Sequence, residues 1–172
     1  MPHEGCRCQV PLMGHGQRVP MIVRWPGYIA SGSSSAHVWG FHDFLATSLE
    51  LAGAEPPAAT DGLSVVPILL GRSEQRAHNY LYWELPRHNS ETGEFRDEVP
   101  AQAIRAGKWK AVRPAPAAPL ELYDLVEDVS ESRDISAEHP SVLANMEELL
   151  ENARLPPRPQ TQPDHIWWES KG

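Results

Sequence analysis

The sequence predicts a mixed α/β chain: one strand and one helix of a larger sheet, then a small antiparallel sheet closed by a long helix. Three observations carry this expectation. "RVPMIVRWPG", Arg18 to Gly27, is an almost unbroken apolar, β-rich run of the kind that is covered on both faces in a parallel sheet. "YLYWEL", "AIRAGKWKAV" and "LELYDL" are aromatic-rich or alternating segments joined by non-helical links, as in an antiparallel meander. "SVLANMEELLENARL" repeats apolar residues at helical spacing.

The elements follow in order. Residues 1–17 have neither helical nor alternating periodicity and form an irregular lead-in. The run from Val19 to Trp25 ends at a Trp-Pro-Gly turn signal. In "WGFHDFLATSLELAG", Phe41, Phe44, Leu45, Leu49 and Ala52 keep helical spacing with Ser48 as the one lapse. This stripe is expected to pack on the sheet, and Gly53 to stop the helix. A proline-rich link leads to "LSVVPILLG", a short apolar element. Within "AIRAGKWKAV" the alternation loses its phase at Ala106-Gly107-Lys108, which marks a bulge or a tight turn. Ser141 is the candidate N-cap of the last helix. Its apolar face is Val142, Leu143, Met146, Leu149, Leu150 and Ala153, with Glu147, Glu148 and Glu151 toward water. The proline-rich tail, residues 156–172, should be extended. It contains a Pro-x-x-Pro core, but Trp167 and Trp168 favour docking back on the chain over presentation to a groove. The expected organisation is thus a lead-in (1–17), an α/β portion (18–75), an antiparallel sheet with its helix (76–155) and the tail.

Only Arg18–Gly27 looks buried on both faces, and a parallel sheet needs at least two such strands joined by a right-handed crossover. Its neighbours are therefore expected outside this chain, which reads as the last part of a larger α/β protein.

Composition narrows the function classes. With 172 residues and 41% hydrophobic side chains the chain can enclose a core, and 17 prolines with 12 glycines imply many stiff loops. The net charge of −8 comes without a basic stripe, which argues against a nucleic-acid partner. Arg24 and prolines break the apolar runs well before the roughly 20 residues of a membrane span. "MPHEGCRCQV" has no apolar segment of the secretory kind, so the chain as written is expected to stay in the cytoplasm. Cys6 and Cys8, one residue apart, make no disulfide framework.

Several constellations carry possible chemistry. His3, Cys6, Cys8 and His15 are zinc-type ligands, but Cys-x-Cys is not the common knuckle spacing, and an incidental exposed cluster is expected. Ser34 or Ser35 with His37, His42 and Asp43 has the ingredients of a nucleophilic triad. Adjacent helical residues point about 100° apart, however, so Asp43 is read as a first-turn carboxylate. Asp124, Glu127, Asp128 and Glu131 lack the alternating ligands and glycine of a calcium loop and read as a solvated acidic turn. The loop Pro86–Pro100 is far longer than a hairpin needs, which suits a binding loop. His88 and Arg96 are its candidate donors to an anionic group at a substrate rim.

Four ordered blocks resemble the C-terminal part of the sulfatases, the arylsulfatase-like branch of the alkaline phosphatase superfamily. They are "RVPMIVRWPG"; "HDFLATSLELAGA", with Asp43 and Thr47 kept and Ala46 where proline is usual; "DGLSVVPILLG"; and "YLYWEL", "AIRAGKWKAV", "ELYDL" and "AEHP" in that order. The resemblance implies the last strand and helix of an alkaline-phosphatase-like sheet, then a four-stranded antiparallel subdomain with a long helix. It implies sulfuric ester hydrolysis by a formylglycine, made from Cys or Ser in a Cys/Ser-x-Pro/Ala-x-Arg motif, with a divalent metal, usually calcium. Neither Cys6, Cys8 nor any serine has that motif, and the family's metal-binding aspartate pairs do not appear. The position of a family active-site lysine falls on Gln9, a neutral amide that cannot replace the cation. No catalytic residue and no metal ligand is therefore expected in this chain, whose implied partner is the N-terminal sulfatase domain. A stand-alone accessory or binding module and a fragment of a related phosphoesterase are the other readings.

Overall fold

The computed structural model describes residues 18–85, 101–115 and 117–155. Its elements are helix α1 (Asp43–Leu51), the one-turn helix α2 (Val66–Leu69), strands β1 (Leu81–Leu85), β2 (Ala101–Ala106), β3 (Trp109–Arg113) and β4 (Glu121–Asp124), and helix α3 (Pro140–Ala153). The four strands form one antiparallel sheet in the order β1-β2-β3-β4. The mixed α/β class and the antiparallel meander with its long helix are as the sequence predicts.

The segment "AIRAGKWKAV" holds two strands and a turn, and no bulge. Ala106 pairs with Trp109 across Gly107-Lys108, and of these two only Gly107 takes a positive φ, 58°. A two-residue hairpin with a left-handed first position needs glycine there, because the turn then matches the twist of its strands. The lost alternation at this point is the reversal itself.

Period-two alternation sorts the strands into two faces. Tyr82, Ile104, Ala111 and Leu122 are aligned partners on one; Trp83, Ala103 and Val112 on the other. Helix α3 covers the first face, with Met146 and Leu150 buried against Ile104, Ala111, Leu120 and Leu122, and Val142, Leu143, Leu149 and Ala153 around them. Each leucine so buried stabilises the fold by about 1.5–3 kcal/mol. The helix begins one residue before the expected cap: Pro140 is its first residue and His139 stands at the N-cap. Proline suits this position because its φ is already helical and the N–H it lacks has no partner there. On the other face Ala101, Ala103, Val112, Tyr123 and Leu125 form a second cluster with Trp83 and Leu85 against it. The loop after β4 covers that strand's outer edge: Leu122 N–H donates to Asp134 Oδ1 (3.0 Å), and Leu122 O accepts from Ile135 N–H (3.0 Å).

The first third differs from expectation at helix α1. Arg18–Gly27, whose strand neighbours are expected outside this chain, pairs with no strand among the described residues, and most of its apolar side chains are exposed, Ile22 being 95% exposed. A continuous apolar run reports what should cover a segment, and here Trp25, stacked on Tyr28, is half-covered while the run's other apolar residues are exposed. Helix α1 is placed with Gly53 as its stop, Gly53 and Ala54 N–H closing on Glu50 O and Leu49 O. Its apolar stripe, however, does not pack on the sheet: Phe41 (85% exposed), Phe44, Leu45 and Ala52 are exposed, Leu49 is half-buried, and the buried residues are Asp43, Ala46 and Thr47. The helix turns inward the polar side that has partners in this chain.

Candidate functional site

Asp43 is the hub of the chain's polar architecture. It opens α1 and is fully buried. Its Oδ2 accepts from Gly40 N–H (2.8 Å), and its Oδ1 accepts from Leu63 N–H (2.7 Å) and faces His78 Nε2 at 2.7 Å. Burial pushes the carboxyl upward, but the Gly40 and Leu63 amides and His78 outweigh it and hold Asp43 below the ordinary value of 3.8. One turn later Thr47 Oγ1 donates to Asp43 O (2.7 Å) and accepts from Val65 N–H (3.1 Å). Asp43 and Thr47 thus form an i, i+4 pair that ties α1 to the segment leading into α2. Gly62 permits the approach: a Cβ there would lie 2.2 Å from His42 O.

An ionised carboxylate only accepts, so His78 Nε2 carries the proton in this contact and Nδ1 is the ring's remaining polar atom. His42 lies edge-on to His78, ring centroids 4.9 Å apart, with its own Nε2 3.7 Å from Asp43 Oδ1. His42, Asp43 and His78 are close enough to share an ion, but the set does not fit calcium. That ion takes 6–8 oxygen ligands, whereas this set offers two imidazoles and a carboxylate whose oxygens already accept hydrogen bonds.

His78 also lines a cavity of about 250 Å³ with His37, Tyr80 and Arg105. Arg105 stands on β2 opposite Lys110 of β3, and its Nε donates to Gly107 O at 3.1 Å. Lys110 is buried, and its Nζ donates to both carboxylate oxygens of Glu131 at 2.9 Å. Glu131 is itself buried, with a left-handed φ of 54°. Burial pushes Lys110 downward, and Glu131 only partly opposes it.

The expected acidic turn is therefore structural, and Glu131 is not solvated. Asp124 Oδ2 accepts from Lys108 Nζ (2.6 Å). Asp128 accepts from Ser132 N–H (2.7 Å) and Arg133 N–H (2.9 Å). The triad ingredients separate likewise: Asp43 is a buried first-turn carboxylate whose imidazole partner at hydrogen-bond distance is His78, and Ser35 Oγ accepts from His37 N–H (3.0 Å). His78 was not singled out in the sequence. It lies in the polar stretch "RSEQRAHN", 35 residues from Asp43, and only the fold joins them. Arg105 was read as part of a strand. Gln9, His88, Arg96, the His3/Cys6/Cys8/His15 group, the long loop and the tail with Trp167 and Trp168 lie outside the described residues.

Known proteins place this geometry in context. Residues 12–155 match the family model described as N-sulphoglucosamine sulphohydrolase, C-terminal. The chain is 34% identical over 98 residues to an ulvan-active sulfatase of Formosa agariphila, covering 57% of this chain and 19% of that protein. It is 29% identical over 146 residues to an N-acetylglucosamine-6-O-sulfatase of Bacteroides thetaiotaomicron, covering 80% and 25%. The solved structure of BT4656 with its substrate D-glucosamine-2-N,6-O-disulfate superposes with a TM-score of 0.64 at 26% identity, over 79% of this chain and 28% of that one. The chain thus spans about a fifth to a quarter of the sulfatases it matches.

Proposed function

Because the chain belongs to the N-sulphoglucosamine sulphohydrolase C-terminal family of the sulfatases, we propose that it is the C-terminal portion of a sulfuric ester hydrolase, inactive alone. The observation that carries this reading is the span: nearly the whole chain matches the family, yet it covers 19–25% of the matched relatives. The exposed stripe of α1 and the unpaired run from Arg18 support it, because both have the apolar character of surfaces meant to be covered. In this reading the nucleophile and the calcium ligands reside in the portion that covers them. The chain's own part is to complete the fold and to supply a substrate rim, for which His88 and Arg96 remain the candidates.

The test is an aryl-sulfate assay with calcium on the purified chain, and again after co-expression with the preceding portion of a sulfatase. No turnover alone and turnover on co-expression are expected. Turnover by the chain alone, above a heat-killed control, refutes the reading. A stand-alone binding module is the second reading, favoured by the closed core between sheet and α3. A cooperative thermal melt of a monomer without dye-binding apolar surface would support it over the first.

A further inference from the structure

We propose that the cavity lined by His37, Tyr80, His78 and Arg105 binds a small doubly charged oxyanion, a sulfate or phosphate group. The inference uses residues of this chain alone and stands whatever the chain's place in a larger enzyme.

Charge is the first ground. In a chain of net charge −8, Arg18, Arg105 and Lys110 interact electrostatically around a single carboxylate, Glu131. Both Glu131 oxygens are occupied by Lys110 Nζ. Among the described residues no carboxylate lies within ion-pair distance of Arg105. A guanidinium keeps its charge at any physiological pH, and among the described residues this half-buried cation shares Glu131 with Lys110. Burial first, and the like charge of Arg18 second, push Arg105 below its ordinary value, and Glu131 only partly opposes them.

Geometry is the second ground. The Nε contact with Gly107 O anchors one edge of the guanidinium and leaves the terminal nitrogens for a bidentate ligand, the arrangement that suits sulfate and phosphate oxygens. His78, held through Nε2 by buried Asp43, contributes to the cavity wall but supplies no donor to an anion. His37 and Tyr80 line the same space from two further segments. At about 250 Å³ the space lies just below the roughly 300–1,000 Å³ of drug-sized ligand pockets, which favours a small ion.

The experiment is isothermal titration of the full 172-residue chain with sodium sulfate, and separately with sodium phosphate, against sodium chloride at matched ionic strength. Saturable one-site binding of sulfate or phosphate, but not chloride, is expected; which anion binds more tightly identifies the source. Arg105→Met should weaken binding at least tenfold. His37→Gln, in a half-exposed loop, should weaken it severalfold and serves as the second variant if Arg105→Met does not fold. No saturable binding of either anion overturns the proposal. So does binding unchanged in a folded Arg105→Met protein or, where that variant does not fold, in His37→Gln.

Discussion

Residues 101–125 and residues 18–51 carry apolar side chains of the same kind and treat them oppositely. Ala103, Ile104, Ala111, Val112 and Leu122 are fully buried, whereas Ile22 is 95% and Phe41 85% exposed. The difference is one of partners. Each strand of the sheet pairs with its neighbour in sequence, and α3 follows β4 closely enough to close over it, so that region completes its core with local contacts. The run from Arg18 and the helix α1 have the pattern of core elements and no matching surface among the described residues. What α1 does bury is Ala46 and two polar side chains: Asp43 and Thr47 are satisfied by Gly40, Leu63, Val65 and His78. An element can be fixed in place by hydrogen bonds on one side while its apolar side waits for another surface.

Substitutions in the two regions should therefore have unequal effects. The largest is expected at the buried ion pair: Lys110→Met leaves Glu131 buried without its cation and should destabilise the chain by about 3–5 kcal/mol, read from the urea midpoint. Next, Leu122→Ala opens a cavity under α3 and should cost about 2–5 kcal/mol by the same measurement. A loss below 1 kcal/mol would show that the sheet–helix core is not the stable unit.

Asp43→Asn should cost about 1.5–3 kcal/mol near neutral pH, since charge-assisted hydrogen bonds are lost. Its pH dependence has a definite sign. The folded Asp43 carboxyl titrates below its ordinary value of 3.8, so its stabilising contribution is present in full above that value and lost as pH falls through the folded one. The stability gap between the parent chain and Asp43→Asn should narrow as pH falls below about 3.8; a gap that widens there contradicts the hub assigned to Asp43. The smallest effect belongs to the exposed stripe. Phe41→Ser and Ile22→Ser should change stability within about 0.5 kcal/mol while lowering binding of an apolar dye. A loss above 1 kcal/mol at either residue would mean that it is already covered in solution.

The antiparallel sheet was legible in the sequence because strand alternation, turn chemistry and the α3 stripe are local signals that agree with one another. The break at Gly107 was visible as lost phase, though only pairing decides between bulge and turn. The apolar face of α3 needed no more than residue spacing, whereas its start depended on how Pro140 and Ser141 divide the first turn. Helix α1 was legible as a helix and misread as to face, since an apolar stripe announces the surface an element needs and not the one it has. The candidate site was the least legible part. Asp43, His78 and Arg105 come from three segments, and no periodicity links a first-turn carboxylate to an imidazole 35 residues on or to an arginine in a strand.

Glu131 sets two demands against each other. Its left-handed φ of 54° is one that glycine adopts freely and glutamate does not, yet only an acidic side chain can meet Lys110 there. Glu131→Gly would remove a carboxylate and relax the main chain in a single change, so its net effect conceals part of each. Comparing it with Glu131→Ala, which loses the acid but keeps the unfavourable torsion, isolates the torsional penalty. Alanine should prove the less stable replacement by about 1 kcal/mol, read from chemical denaturation.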